Sequence, residues 1–123
     1  MAPRAYEELA GHLVREVPGF DGSPELEAAR ARTSQGAVTD ALGRYLLRLQ
    51  RRAVRLEATP DEQEALTRAY AVLEDLAAGD DRRVRDAVAH EIFEPLHADD
   101  VVVAAVETLL GPRSRALYRR WAV

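Results

Sequence analysis

Two amphipathic helical patterns run back to back between Thr59 and Leu96, joined by the short turn Ala77-Ala78-Gly79-Asp80-Asp81. A helical pair of this kind cannot bury its apolar stripe by itself, so the rest of the chain must supply packing neighbours. Each half carries its own start. Thr59-Pro60-Asp61-Glu62 combines a hydroxyl able to accept from an orphan amide, a proline suited to the first helical position and a glutamate that completes a capping box. Leu66, Ala69, Tyr70, Leu73, Leu76 and Ala77 then mark one buried stripe, with Glu64, Arg68 and Asp75 turned to water. Asp80 or Asp81 opens the second helix. Its Val84, Val88, Ile92 and Leu96 stand in an i, i+4 row beside Ala89 and Phe93, until Pro95 kinks or ends it.

The same period organises the remainder. Tyr6, Leu9, Leu13, Val14 and Val17 predict a first helix over about residues 4 to 17, stopped by Pro18-Gly19. Ser23 and Pro24 supply a cap and a first-turn proline for a short helix reaching about Arg32, and Thr33-Ser34-Gln35-Gly36 reads as loop. From about Val38 to Glu57, the arc of Leu42, Tyr45, Leu46, Leu49, Ala53 and Leu56, widened by Leu47 and Val54, predicts the central packing helix. Gly43 costs that helix about 1 kcal/mol relative to alanine, a loss that close approach by a neighbouring helix would offset. Asp99-Asp100 caps a further helix with Val102, Val103, Val106, Leu109 and Leu110 inward. Gly111-Pro112 stops it and starts a last one, in which Leu117, Tyr118 and Trp121 dock on the body. Val101-Val102-Val103 also suits a strand, but the spacing through Leu110 favours helix, and no strand alternation appears elsewhere. The expectation is an all-α fold in one domain over residues 1–123, a compact bundle of about five to seven helices.

A chain of 123 residues, 47% apolar and 31% charged, has the balance of one ordinary globular core rather than of a disordered chain. The absence of cysteine excludes disulfides and thiolate-ligated metals. The Met1-to-Ala10 start carries Glu7 and Glu8 and no long apolar run follows, so neither a signal peptide nor a membrane span is expected, and the location read from this is cytoplasmic. A net charge of -4 argues against general nucleic-acid binding. All 17 basic residues are arginine, without lysine or asparagine, which reflects a high-GC bacterial genome more readily than a binding chemistry.

Sites for chemistry are weakly signalled. In His90-Glu91-Ile92-Phe93-Glu94-Pro95-Leu96-His97 a zincin helix would need a second imidazole where Glu94 stands, so the motif fails, even with His12 free to approach from another helix. Ser23, Ser34 and Ser114 sit at caps or turns without a local base, and no phosphate-cradling glycine loop is present. No enzyme, metal or cofactor is therefore expected.

One polar feature has geometry behind it. Arg44, Arg48, Arg51, Arg52 and Arg55 fall within roughly 100° of one another on the helix wheel, and no acid interrupts them between Asp40 and Glu57. Such a stripe is either a solvated face paired with acids from adjacent helices, or a docking surface for an acidic partner or phosphate. Arg113, Arg115, Arg119 and Arg120, grouped around Trp121, form a second cluster suited to anchoring the C-terminus or to satisfying a helix end. Arg85 lies beside Val84 and Val88, where a partly buried guanidinium needs carboxylate or carbonyl partners and would tie the turn at Asp80 or Asp81 to the next layer.

The run Asp80-Asp81-Arg82-Arg83-Val84-Arg85-Asp86-Ala87-Val88-Ala89 resembles the second-helix opening of a HEAT-like repeat, in which a Val-Arg pair follows an acidic turn. From Pro18 onward, including Leu109-Leu110-Gly111-Pro112 and Leu117-Tyr118, the chain is similar to small bacterial helical domains, some of them regarded as immunity proteins of polymorphic toxin systems. The resemblance implies antiparallel helix pairs and a protein partner; it transfers no catalytic residue. The function expected is thus protein binding by steric occlusion, with Arg44, Arg48, Arg51, Arg52 and Arg55 as the contact residues. The alternative is a binder of a small phosphorylated or otherwise anionic ligand, with Tyr45 or Trp121 as an aromatic wall.

Overall fold

The start signals in the sequence are met by the hydrogen bonds they call for. In the computed structural model, which describes residues 6–32 and 35–121, Ser23 Oγ accepts from the Leu26 amide at 3.2 Å. Thr59 and Glu62 exchange the two bonds of a capping box at 3.1 and 2.9 Å. Asp81 accepts from the Arg83 amide at 2.8 Å, and Asp99 from that of Val101 at 3.1 Å. These caps open α2 (Pro24–Arg30), α4 (Pro60–Ala77), α5 (Arg82–Ala87) and α6 (Asp100–Leu109). The other helices are α1 (Leu9–Glu16), entered through a 3-10 turn at Tyr6–Glu8, α3 (Gln35–Val54) and α7 (Pro112–Tyr118). A π-helical turn, Val88–Ile92, continues α5, and 3-10 turns cover Pro95–His97 and Arg119–Trp121. The fold is all-α, with no strand among the described residues.

Helix α3 is the axis. It packs against α1, α2, α4, α6, the π turn and the 3-10 turn at Pro95, and its Leu42, Tyr45, Leu46 and Leu49 are buried as their spacing requires. Around it Leu9, Leu13, Phe20, Leu73, Leu76, Val88, Ile92, Phe93, Leu96, Val102, Val106 and Tyr118 close into one apolar cluster. The tightest crossing is at Gly43, where a β-carbon would lie 2.3 Å from the Ile92 carbonyl oxygen and 2.9 Å from Pro95 Cγ. Only a residue without a side chain admits the π turn at that distance. Pro95 breaks the helix after it as expected, and Phe93 bonds back to the Val88 carbonyl at 3.0 Å, the i to i−5 pattern of a π turn. Arg85 finds the carbonyl partner its position calls for, its guanidinium donating to the Gly79 carbonyl, a bond within the turn that precedes α5 rather than to another layer.

Three details depart from the sequence reading. Gln35 and Gly36, read as loop, belong to the first turn of α3, while Thr33 and Ser34 lie outside the described residues. The reason is a carboxylate from far along the chain: Thr39 Oγ1, fully buried, donates to Glu91 Oε1 at 2.9 Å, placing negative charge at the start of α3. At its other end α3 stops at Val54, and Leu56, expected in the core, is 93% exposed. Leu109, also expected inward, is 52% exposed, because the last turn of α6 overhangs an open cavity bordered by Leu66, Tyr70 and Ala71. The side chain of Trp121 lies outside the described residues.

Candidate functional site

The arginines of α3 grip the first turns of its neighbours. Arg48 clasps Glu25 of α2 with two hydrogen bonds, Nε at 2.7 Å and Nη2 at 3.1 Å. Arg52 Nε donates at 2.9 Å to Glu62 Oε1, the atom that also closes the capping box of α4, and its Nη2 donates to the Glu57 carbonyl. Arg51 Nε reaches Asp99 Oδ2 at 3.2 Å while the other oxygen of that carboxylate caps α6. Arg44 pairs one turn back with Asp40 at 2.8 Å. Carboxylates at helix starts offset the macrodipole, and the arginines of α3 in turn tie three of these starts to the axis. Burial disfavours the charge on Glu25, yet the Arg48 guanidinium holds its carboxyl below the usual carboxylate range. Within the stripe, then, Arg44, Arg48, Arg51 and Arg52 are paired inside the fold.

Arg55 differs. It is exposed, and among the described residues its side chain makes no ion pair or hydrogen bond. Next to it stands Leu56, with φ of 60°. The Leu56 amide bonds the Ala53 carbonyl at 3.0 Å and the Glu57 amide the Arg52 carbonyl at 2.8 Å, the paired bonds of a Schellman motif. That motif needs a left-handed residue after the helix, a place glycine ordinarily fills because an L side chain there costs about 1–2 kcal/mol. Leucine stands in it here and gains no burial in return. Extrapolated periodicity missed this site. Loop length could not have found it, because a helix running through Leu56 would still leave Glu57 and Ala58 before the Thr59 cap, a connection of ordinary length.

The remaining polar clusters serve the scaffold. Glu74 of α4 caps α7, whose Gly111 offers no side-chain cap, accepting from the Arg113 amide at 3.1 Å, the Ser114 amide at 2.9 Å and Ser114 Oγ at 2.8 Å. Burial works against its charge, but these donors hold the carboxyl below its ordinary range. In the C-terminal cluster, Arg115 donates to the Glu107 and Leu110 carbonyls at 3.1 and 2.6 Å, satisfying the end of α6, and Arg119 pairs with Glu107 and Arg120 with Asp86. His90 and Glu91 share a cavity of about 320 Å³ with Tyr6, Arg83 and Asp86, whereas His97 stacks on Tyr118 at 4.1 Å and bonds the Phe93 carbonyl. His12 is buried in α1, and burial holds its imidazole below its ordinary pKa. Among the described residues no group of histidines and carboxylates is arranged to hold a metal ion. No helix there is long and apolar enough to cross a membrane. Comparison with family models, with curated proteins and with solved structures returns no match.

Proposed function

We propose that this chain is a non-catalytic protein-binding domain whose contact is the C-terminal end of α3, centred on Leu56 and Arg55. The observation that carries the reading is Leu56 itself: a large apolar side chain, 93% exposed, held in a left-handed conformation. Such an outlier disfavours the free protein by about 1–2 kcal/mol of backbone strain. Burial of a leucine against a partner contributes about 1.5–3 kcal/mol, enough to outweigh that cost. Arg55 beside it fits an acidic rim around the receiving pocket, while Arg51 and Arg52 one turn back are already paired with Asp99 and Glu62. The mechanism is steric occlusion of the partner's surface. Resemblance to small bacterial immunity domains supplies the specific form of the proposal, neutralisation of a cognate toxin.

The test uses the product of the reading frame adjacent to this chain's gene, mixed with the purified protein and followed by size-exclusion chromatography and calorimetric titration. A stoichiometric complex should form, and co-expression should relieve any toxicity of the neighbour. Leu56→Asp should weaken the complex about 10- to 100-fold and leave the melting temperature unchanged within a few degrees. Arg55→Glu should weaken it mainly through a slower, salt-sensitive association rate. The reading is overturned by the absence of a complex, or by a complex that both variants form with wild-type affinity.

A further inference from the structure

We infer that α6 is a self-association surface, on which two copies of this chain pair antiparallel about a two-fold axis at Ala105. The argument is independent of the Leu56 contact. Two of the three large apolar side chains that the described residues expose stand on this helix, Val101 at 64% and Leu109 at 52%. Ala104 and Thr108 are exposed with them, Ala105 is half-buried between them, and no charged residue interrupts the helix from Val101 to Val106. The solvent side of α4, by contrast, carries Asp61, Glu64, Arg68 and Asp75. A helix that is apolar on every side is ordinarily covered on every side. Val102 and Val106 already take up the inner face of α6, and the outer face is left for a partner.

Charge and spacing name that partner as a second copy. Asp100, at the start of α6, and Arg113, just past its end, are both exposed, and neither side chain makes an ion pair or hydrogen bond among the described residues. The charge of Arg113 is felt by Glu74, but the oxygens of Glu74 are taken by the amides and hydroxyl at the start of α7. Opposite charges at opposite ends of an uncharged face complement the same face laid antiparallel, and they do so twice, Asp100 of each copy meeting Arg113 of the other. A chain of net charge -4 repels itself over most of its surface, and on this face no like charges are apposed. Val101, Ala105 and Leu109 recur every fourth residue, so the axis that sets Ala105 against its own copy also sets each Val101 against the other copy's Leu109. Beside Leu109 lies the cavity of about 360 Å³ bordered by Leu66, Tyr70 and Ala71. Its hydroxyls are engaged, that of Tyr70 with Gln50 and that of Thr67 with the Gln63 carbonyl. An incoming valine therefore enters it without stranding a donor or a charge. One helix face buries less than a standard interface, which makes the dimer a weak one, with Kd on the order of 10–100 µM.

Sedimentation equilibrium of the full-length protein, from about 10 to 500 µM, should show a monomer–dimer equilibrium. On dilution, backbone amide NMR signals of α6 and of residues 66–71 should shift, while those near Leu56 stay in place. Val101→Glu, at an exposed position, should weaken the dimer more than about tenfold with the circular dichroism spectrum retained. Asp100→Arg and Arg113→Asp should each weaken it about threefold to tenfold, since each substitution breaks two symmetry-related pairs. The double variant, in which the two charges change places, should regain the wild-type affinity; should Val101→Glu misfold, this exchange decides alone. Leu56→Asp should dimerise like the wild type, which separates this face from the docking end. The inference is overturned if the protein stays monomeric over the whole range, if Val101→Glu dimerises like the wild type, if the charge exchange is no tighter than the single variants, or if Leu56→Asp loses the dimer.

Discussion

Replacing Gly43 by alanine sets two opposing effects against each other, and the structure decides between them. In an open helix the change stabilises by about 1 kcal/mol, because alanine loses less backbone entropy than glycine. At position 43, however, the new β-carbon would stand 2.3 Å from the Ile92 carbonyl oxygen and 2.9 and 3.0 Å from Pro95 Cγ and Cδ. None of these is the far end of a flexible chain: one is backbone, the others belong to a ring fixed at the break after the π turn. The π turn or α3 must therefore shift by most of an ångström in a core where Leu42, Ile92 and Leu96 are fully buried. Overpacking of that kind costs about 1–3 kcal/mol or more, so the net expectation is destabilisation by about 2 kcal/mol, a fall of roughly 8 °C in melting temperature for a domain of this size. Gly11→Ala in α1 is the control, since its β-carbon meets only the terminal Arg15 Nη1 at 3.0 Å, which can swing away. It should stabilise by about 0.5–1 kcal/mol. Urea unfolding followed by far-ultraviolet circular dichroism measures both. Equal gains from the two substitutions would refute the close crossing of α3 with the π turn.

Other perturbations follow from the same structure. Leu56→Gly removes left-handed strain and an exposed leucine, and should raise stability by about 1 kcal/mol in thermal unfolding. Glu74→Ala strips three hydrogen bonds from the start of α7 and leaves the fully buried Ser114 without its carboxylate acceptor, which should cost about 2–3 kcal/mol by urea titration. Glu74→Gln, which keeps an acceptor oxygen, should lose less. Because the folded pKa of His12 lies below its ordinary 6.5, the unfolded chain binds the proton more readily; the stability from neutral His12 is present above about pH 6.5 and declines as pH falls below it. His12→Leu should flatten the dependence of unfolding free energy on pH between neutrality and pH 5, and an unchanged slope would remove His12 as its source.

Much of the fold was legible because the chain states its helix starts locally. Ser23-Pro24, Thr59-Pro60, Asp81 and Asp99 each act on an amide two or three residues away, and each is found in place. Gly43 was legible as a close approach, since a glycine inside a strongly periodic helix needs a packing reason. The helix ends were less so. Leu56 continues the apolar period of α3 and reads as core; the helix ends instead in a Schellman turn with Leu56 left-handed, which apolar spacing does not encode. The start of α3 and the cap of α7 depend on Glu91 and Glu74, carboxylates brought from other helices, and no local pattern announces them. The arginine stripe was visible as a stripe. Its partners Glu25, Glu62 and Asp99 become neighbours only once the helices pack, so the division of labour along α3 belongs to tertiary structure.

That division is the centre of the account: Arg44, Arg48, Arg51 and Arg52 of α3 are paired within the fold, whereas Arg55 at its C-terminal end, the contact proposed above, is not. Nitrogen-15 relaxation and hydrogen exchange at the arginine Nε–H groups measure it directly in the free protein. Arg48 and Arg52, each held by a carboxylate below 3 Å, should give ordered, slowly exchanging Nε–H signals, while that of Arg55 is motionally averaged and exchanges fast. Equal mobility at all three positions, or an Arg55 as ordered as Arg48, would contradict it.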